Sequence, residues 1–385
     1  MNLGPEQQRA VAKGVSPSAS GRAFGALMLA VLAALLTACA TRPPAPETPQ
    51  LAPAEAKSLI ARLIPPATAD RVGWASDIYA AMSVQRVEPS RDNACAVVAV
   101  IEQESSFRID PVVAGLPKIA WSEIDRRAEQ AGVPKLLVHA ALQLGSPDGR
   151  SYSDRIDSVR TERELSEVFE DFIGMVPMGK RLFGSANPIR TRGPMQVNVA
   201  FAKRYVADHA YPYPAPKGID EELFARRGSI FFGVAHLLDY PARYDKPLYR
   251  FADFNAGQYA SRNAAFQQAL ASATGLPVTT DGALLPRDEA APPGSTELAA
   301  RVVAARAGIG DGAVRRALEQ GGRAEFDNTP LYRRVFEVAE RNEGHAFPRA
   351  LVPTIDLQSP KITRHLTTAW YAAQVDRRYQ RCLAH

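Results

Sequence analysis

Between Ala94 and Phe107 the chain reads Ala-Cys-Ala-Val-Val-Ala-Val-Ile-Glu-Gln-Glu-Ser-Ser-Phe, an apolar run that ends in two carboxylates. At 100° per residue Ala94, Val97, Val98 and Ile101 share one helix face, the expected buried stripe. Glu104 falls at the edge of that stripe, three residues beyond Ile101, while Glu102 points away from it toward water. A carboxyl at the rim of an apolar face is partly desolvated, which raises its pKa and keeps it protonated near neutral pH. A general acid acting on a glycosidic oxygen needs that state. On this segment alone, a surface glutamate at a helix end is the plainer alternative.

Two further segments change the weighing: Gly193-Pro194-Met195-Gln196-Val197 and Phe254-Asn255-Ala256-Gly257. With Glu104-Ser105-Ser106-Phe107 they stand in the order Glu-Ser-x-Phe, Gly-Leu-Met-Gln, Tyr-Asn-Ala-Gly. In this the chain resembles the lytic transglycosylases of the goose-lysozyme-like group, over roughly residues 54–273. The 62 residues from Gly193 to Asn255 are similar to that family's spacing. As a whole the chain resembles a family of bacterial lipoproteins carrying these motifs.

The resemblance implies a mainly α, lysozyme-like domain that cleaves the bond between N-acetylmuramic acid and N-acetylglucosamine in peptidoglycan. It gives Glu104 the role of acid and then base, while the sugar's own 6-hydroxyl closes a 1,6-anhydro ring. One carboxylate suffices for this, unlike the paired carboxylates of most glycosidases. Glu102 and Asp110 are near in sequence but no motif supports either as a second. Ser105 matches a serine near the site, with a structural helix-end hydroxyl as the alternative. Gly193 lets backbone approach the sugar, Met195 lines the groove, and Gln196 bonds the acetamido groups. The plainer reading of those three is a Gly-Pro turn opening a helix, with Met195 in the core. Asn255 bonds either substrate or loop backbone.

Two departures from the resembled pattern matter. Phe254 stands where the family has a tyrosine whose hydroxyl contacts the acid, so either another group such as Tyr259 substitutes or catalysis is weakened. About ninety residues separate Glu104 from Gly193, far more than the family's short gap. That insertion, about residues 110–190, is expected to reshape one wall of the cleft.

Other chemistries lack residues to carry them. The six histidines, His139, His209, His236, His345, His365 and His385, show no ligand spacing, so no metal or other cofactor is expected. There is no phosphate-binding or dinucleotide loop and no nucleophile elbow. A net charge of +5 and a pI near 9.1 are mildly basic. The positive charges lack the interleaved aromatics that single-stranded nucleic acid requires, so nucleic acid is not an expected partner.

The elements that must position these residues follow a leader. Arg9, Lys13 and Arg22 precede the apolar run Ala23–Leu36, which is short of the roughly 20 residues of a comfortable membrane span. It ends in Leu36-Thr37-Ala38-Cys39, which resembles a lipobox, so residues 1–39 read as a lipoprotein signal peptide with Cys39 lipidated. A plain secretion signal is the alternative. Ala40 is not the Asp that resembles an inner-membrane retention signal, so the expected place is the outer membrane, facing the periplasm. The long leader suggests a true translation start downstream of Met1. Residues 40–53, with five prolines, read as a semi-rigid linker.

Helical periodicity dominates from there, over 54–63, 74–85, 94–107, 121–131, 162–173, 197–209, 221–240 and 261–273. The lysozyme-like domain is placed at 54–274, with 275–295 as a linker or long loop. A helical C-terminal region follows at 296–385, with helices expected over 296–319, 331–342 and 362–383. Trp370 and Tyr371, reached through Ser359-Pro360-Lys361-Ile362, read as core aromatics, with a sugar-facing role as the alternative. Lipidation of Cys39 leaves Cys95 and Cys382 in an oxidising compartment, and a disulfide between them is expected; two buried free thiols are the alternative.

The function expected is therefore peptidoglycan lytic transglycosylation by a lipid-anchored envelope protein, with glycan strands and the membrane as partners. A hydrolytic muramidase and a non-catalytic peptidoglycan-binding lipoprotein are the alternatives.

Overall fold

Side-chain caps fix where several helices begin. Asp70 accepts from the Gly73 amide at 3.0 Å and Ser90 from the Asn93 amide at 3.3 Å. Thr161 and Glu164 form a reciprocal capping box, and Thr367 accepts from the Trp370 amide at 3.1 Å. Each cap satisfies an amide that has no partner inside its own helix. The computed structural model describes residues 51–385 except 176, 177, 179, 180, 182–185, 287, 289 and 359–363. The leader, Cys39, most of the proline-rich linker and Ser359-Pro360-Lys361-Ile362 lie outside the described residues.

The chain is mainly α-helical. In order come α1 (Pro53–Leu63), α2 (Arg71–Val84), α3 (Arg91–Glu104), α4 (Leu116–Gln130), α5 (Lys135–Ala141), α6 (Tyr152–Ser158) and α7 (Glu162–Gly174). A hairpin of β1 (Thr191–Arg192) and β2 (Val197–Asn198) follows, antiparallel, with Arg192 opposite Val197. Then come α8 (Val199–Asp208), α9 (Ile219–Glu222), α10 (Arg226–Leu238), α11 (Pro247–Ala256) and α12 (Ala260–Thr274). The last are α13 (Ser295–Ala305), α14 (Asp311–Leu318), α15 (Pro330–Glu343) and α16 (Thr368–Leu383).

Two expected helices are each divided. The run 221–240 breaks between α9 and α10, and 296–319 breaks at Gly308 and Gly310, the first of which has φ +69°. Three helices are additional to the expected set: α5, α6 and α11. The last carries Phe254 and Asn255.

Three clusters of buried side chains organise these elements. The first is built from α1, α2, α3, α10, α11 and α16. Its centre is α3, in which every residue from Ala94 to Ile101 is buried, not only the expected stripe. A helix apolar on all sides must be enclosed on all sides, and α1, α10 and α16 all pack on α3. Cys95 and Cys382 are joined by a disulfide with Cα atoms 5.6 Å apart, tying α3 to α16. The second cluster gathers Phe266 of α12 with Phe326, Tyr332 and Phe336 from the segments after it. The region 296–385 is therefore divided: α13–α15 complete the second core with α12, and α16 returns to the first. Residues 275–286 form a loop pinned by Gln267, which bonds Asp281, Gly282 and Ala283. The third cluster, with Tyr152, Ile156, Leu165 and Val168, belongs to the insertion.

Candidate active site

Glu104 is the last residue of α3, where the helix runs out of the first core and its side chain becomes half-buried. The hydroxyl of Tyr371, from the first turns of α16, donates to Glu104 Oε1. Tyr371 is buried, and that burial, with the nearby Glu104 charge, pushes its hydroxyl well above the ordinary tyrosine range. It therefore stays a protonated donor at any physiological pH. One turn earlier on α16, Thr368 Oγ1 donates to Asn255 Oδ1 at 2.7 Å. The start of α16 thus touches both Glu104 and Asn255 of the third motif.

The ring of Tyr371 is packed in the first core, as expected of it, while its hydroxyl makes the contact with Glu104 that was expected of Tyr259. Tyr259 is buried elsewhere: its ring packs against Tyr240, and the Arg262 guanidinium sits 4.2 Å over its face. Phe254 is buried against the His236 ring, with centroids 5.1 Å apart. Its carbonyl accepts from His236 Nε2 at 3.2 Å, and burial holds His236 down to about 4, so the ring is neutral. Trp370 is half-buried beneath the Arg364 guanidinium.

The second motif is the turn of the hairpin, not a turn opening a helix. The Gln196 amide donates to the Gly193 carbonyl at 2.9 Å, and both residues have positive φ, +72° and +48°. Gly193 does not open backbone to a ligand: a Cβ there would stand 2.1 Å from the Leu223 carbonyl oxygen. Met195 does not line a groove either. It is fully buried, seated where a side chain on Gly233 would be. Gln196 stays partly exposed, accepting from Thr191 Oγ1 at 2.9 Å and donating to Glu162 Oε2 at 3.1 Å. Thr191 and Glu162 also line a largely apolar cavity of about 1350 Å³ on the insertion side. Ser105 is buried, and its hydroxyl donates to the Ile101 carbonyl at 3.2 Å, so it ends the helix.

Glu102 is not merely solvated: Arg381 Nη2 lies 2.7 Å from its Oε1. Among the described residues there is no cluster of three or more His, Cys, Asp or Glu arranged to hold a metal.

Residues 67–385 match the family described as "Protein of unknown function (DUF1615)". The chain belongs to that family. The match includes both α3 and α16, so Glu104 and Tyr371 lie within one family unit. The chain is also similar to "Uncharacterized protein YaiW" of Escherichia coli (strain K12), 49% identical over 356 residues. That alignment covers 92% of this chain and 96% of the relative. No solved structure matches.

Several residues of this site carry no motif. Tyr371 stands 267 residues from Glu104, too far for any local signal. A signal existed in combination. Cys382 lies three helical turns beyond Tyr371 on the same face, about 16 Å along the axis, and Cys95 lies about 14 Å before Glu104. A disulfide at one end of two helices running in opposite senses therefore sets Tyr371 level with Glu104 along the pair. Nine residues put Cys95 and Glu104 on opposite sides of α3, however, so the level was legible and the contact was not. Asp253 is a further residue without a motif. Fully buried, it accepts from the hydroxyls of Tyr240 and Tyr244 and the amides of Tyr259 and Ser261. It fixes the chain on either side of Asn255. Burial raises its pKa, and those donors oppose the rise.

Proposed function

We propose that this protein is a peptidoglycan lytic transglycosylase with a lysozyme-like helical domain, lipid-anchored through Cys39 to the outer membrane and facing the periplasm. The observation that carries the reading is the hydroxyl of Tyr371 on Glu104. It supplies from the C-terminal helix the contact that Phe254 lacks. In the proposed step Glu104 gives its proton to the glycosidic oxygen as the bond to the muramic acid C1 breaks. The resulting carboxylate takes the proton of the 6-hydroxyl as that oxygen bonds to C1. No water enters, and the enzyme returns to its starting protonation. Tyr371 orients the carboxyl, and Gln196 and Asn255 border the sugar.

A second reading, glycan binding without cleavage, has its own support. Gly193 and Met195 are turned into the core and are not offered to substrate. The two readings separate on Glu104→Gln, which keeps shape and removes the transferable proton. General acid–base catalysis is worth about 10²–10⁴ in rate, so release of soluble fragments from purified sacculi should fall by that factor. Fragment release that survives the substitution overturns the assignment of Glu104. Binding to sacculi without release by either protein supports the second reading. Anchoring is tested separately: Cys39→Ser should abolish incorporation of labelled palmitate.

A further inference from the structure

A second pocket, of about 490 Å³, lies where the loop after α10 meets the start of α12 and the segment entering α15. Its volume is that of a small-molecule site, roughly 300–1000 Å³. Four arginines line it, Arg243, Arg262, Arg333 and Arg349, against one aspartate, Asp327. Arg262 is structural: it is buried, and its guanidinium bonds Asn263, Gly321, Arg323 and Asp327. Arg349 pairs with Glu340. Arg243 and Arg333 are different. Both are exposed, and neither guanidinium forms a hydrogen bond or ion pair with any described residue. The rings of Tyr259 and Tyr332 are buried in the same wall, and their hydroxyls also hydrogen-bond to no described residue.

We propose that this pocket binds the carboxylate end of a short peptide or an amino acid. Guanidinium forks match a planar carboxylate in two parallel hydrogen bonds, and two unpaired forks with two hydroxyls provide more donors than one carboxylate can use. The cavity exceeds a bare inorganic anion, so the ligand brings a body that fills the rest of it. Asp327 selects among anions. Its Oδ1 is held by Arg262, leaving Oδ2 to accept the N–H adjacent to a terminal carboxylate. The same negative charge repels a phosphate dianion more than a carboxylate monoanion. The wall is fixed in advance: Asp253 holds Tyr244 through its hydroxyl and Tyr259 through its amide. None of this depends on the chemistry at Glu104.

Calorimetric titration of the full chain with N-acetyl-alanyl-alanine, its C-terminal amide and inorganic phosphate tests the assignment. The free acid should bind at least tenfold more tightly than either of the others. In the Arg243→Ala, Arg333→Ala double variant that affinity should fall at least tenfold. Both positions are exposed, so the variant should melt with the wild type. Equal binding of the amide, tighter binding of phosphate, undiminished binding by the double variant, or no binding of the free acid by wild type each overturns the proposal.

Discussion

Along α3 every side chain from Ala94 to Ile101 is buried and a disulfide joins the helix to α16, whereas α5 of the insertion leaves Leu136 80% and Leu137 62% exposed. The seam between α3 and α16 holds Glu104 and Tyr371. The insertion has a smaller core of its own and the large cavity beside Glu162. On the proposed function the carboxyl at this seam would have to be held within a fraction of an ångström, and a wall admitting a bulky polymer would not. Burial and the covalent tie are concentrated at the seam, not in the insertion.

Four perturbations test this contrast, the largest expected effect first. Removing the disulfide with Cys95→Ala and Cys382→Ala should have the largest effect. The bond closes a loop of 287 residues, and its loss costs up to about 5 kcal/mol on the chain-entropy model. Denaturant titration of the two proteins measures it; equal midpoints would show the seam is held by packing alone. Next is pH. His236 is held down to about 4 by burial, so between pH about 6.5 and about 4 the unfolded chain takes up a proton that the folded chain refuses. Stability contributed by neutral His236 is thus present near pH 7 and lost as pH falls through that window, by up to about 3 kcal/mol. Comparing wild type with His236→Gln at pH 7 and pH 4.5 isolates the contribution, and parallel losses would contradict it.

Tyr371→Phe comes third. It keeps the ring in the core and removes the hydroxyl from Glu104. A hydrogen bond to a charged group contributes about 1.5–3 kcal/mol, so the rate of glycan cleavage should drop about 10- to 100-fold. The pH–rate profile should shift as well, which a packing defect alone would not produce. Smallest is Leu136→Ser with Leu137→Ser, exposed changes that should alter stability by no more than about 0.5 kcal/mol. A large loss there would mean that the insertion is as tightly built as the seam.

Much of this arrangement was legible in the sequence, and the exceptions have physical causes. The helical character followed from periodicity, and α1, α3 and α7 begin close to their expected starts. The helix α11 was not read because Pro247 at its start and Gly257 just after its end bound only ten helical residues. Glu104 was legible because a carboxyl ending an apolar run is a local pattern. Tyr371 was not, because its partner lies across the fold. Met195 and Gly193 illustrate the reverse: motif residues whose expected place facing substrate is taken by packing against Gly233 and Leu223.

The central claim is that Glu104, oriented by Tyr371, breaks the glycan without water. Mass spectrometry of the fragments released from purified sacculi by the full chain tests it most directly. Muropeptides about one water, ~18 Da, lighter than those from a hydrolase are expected, and none from Glu104→Gln. Fragments of full hydrolytic mass would show that water completes the reaction, and their absence with wild-type protein would contradict cleavage altogether.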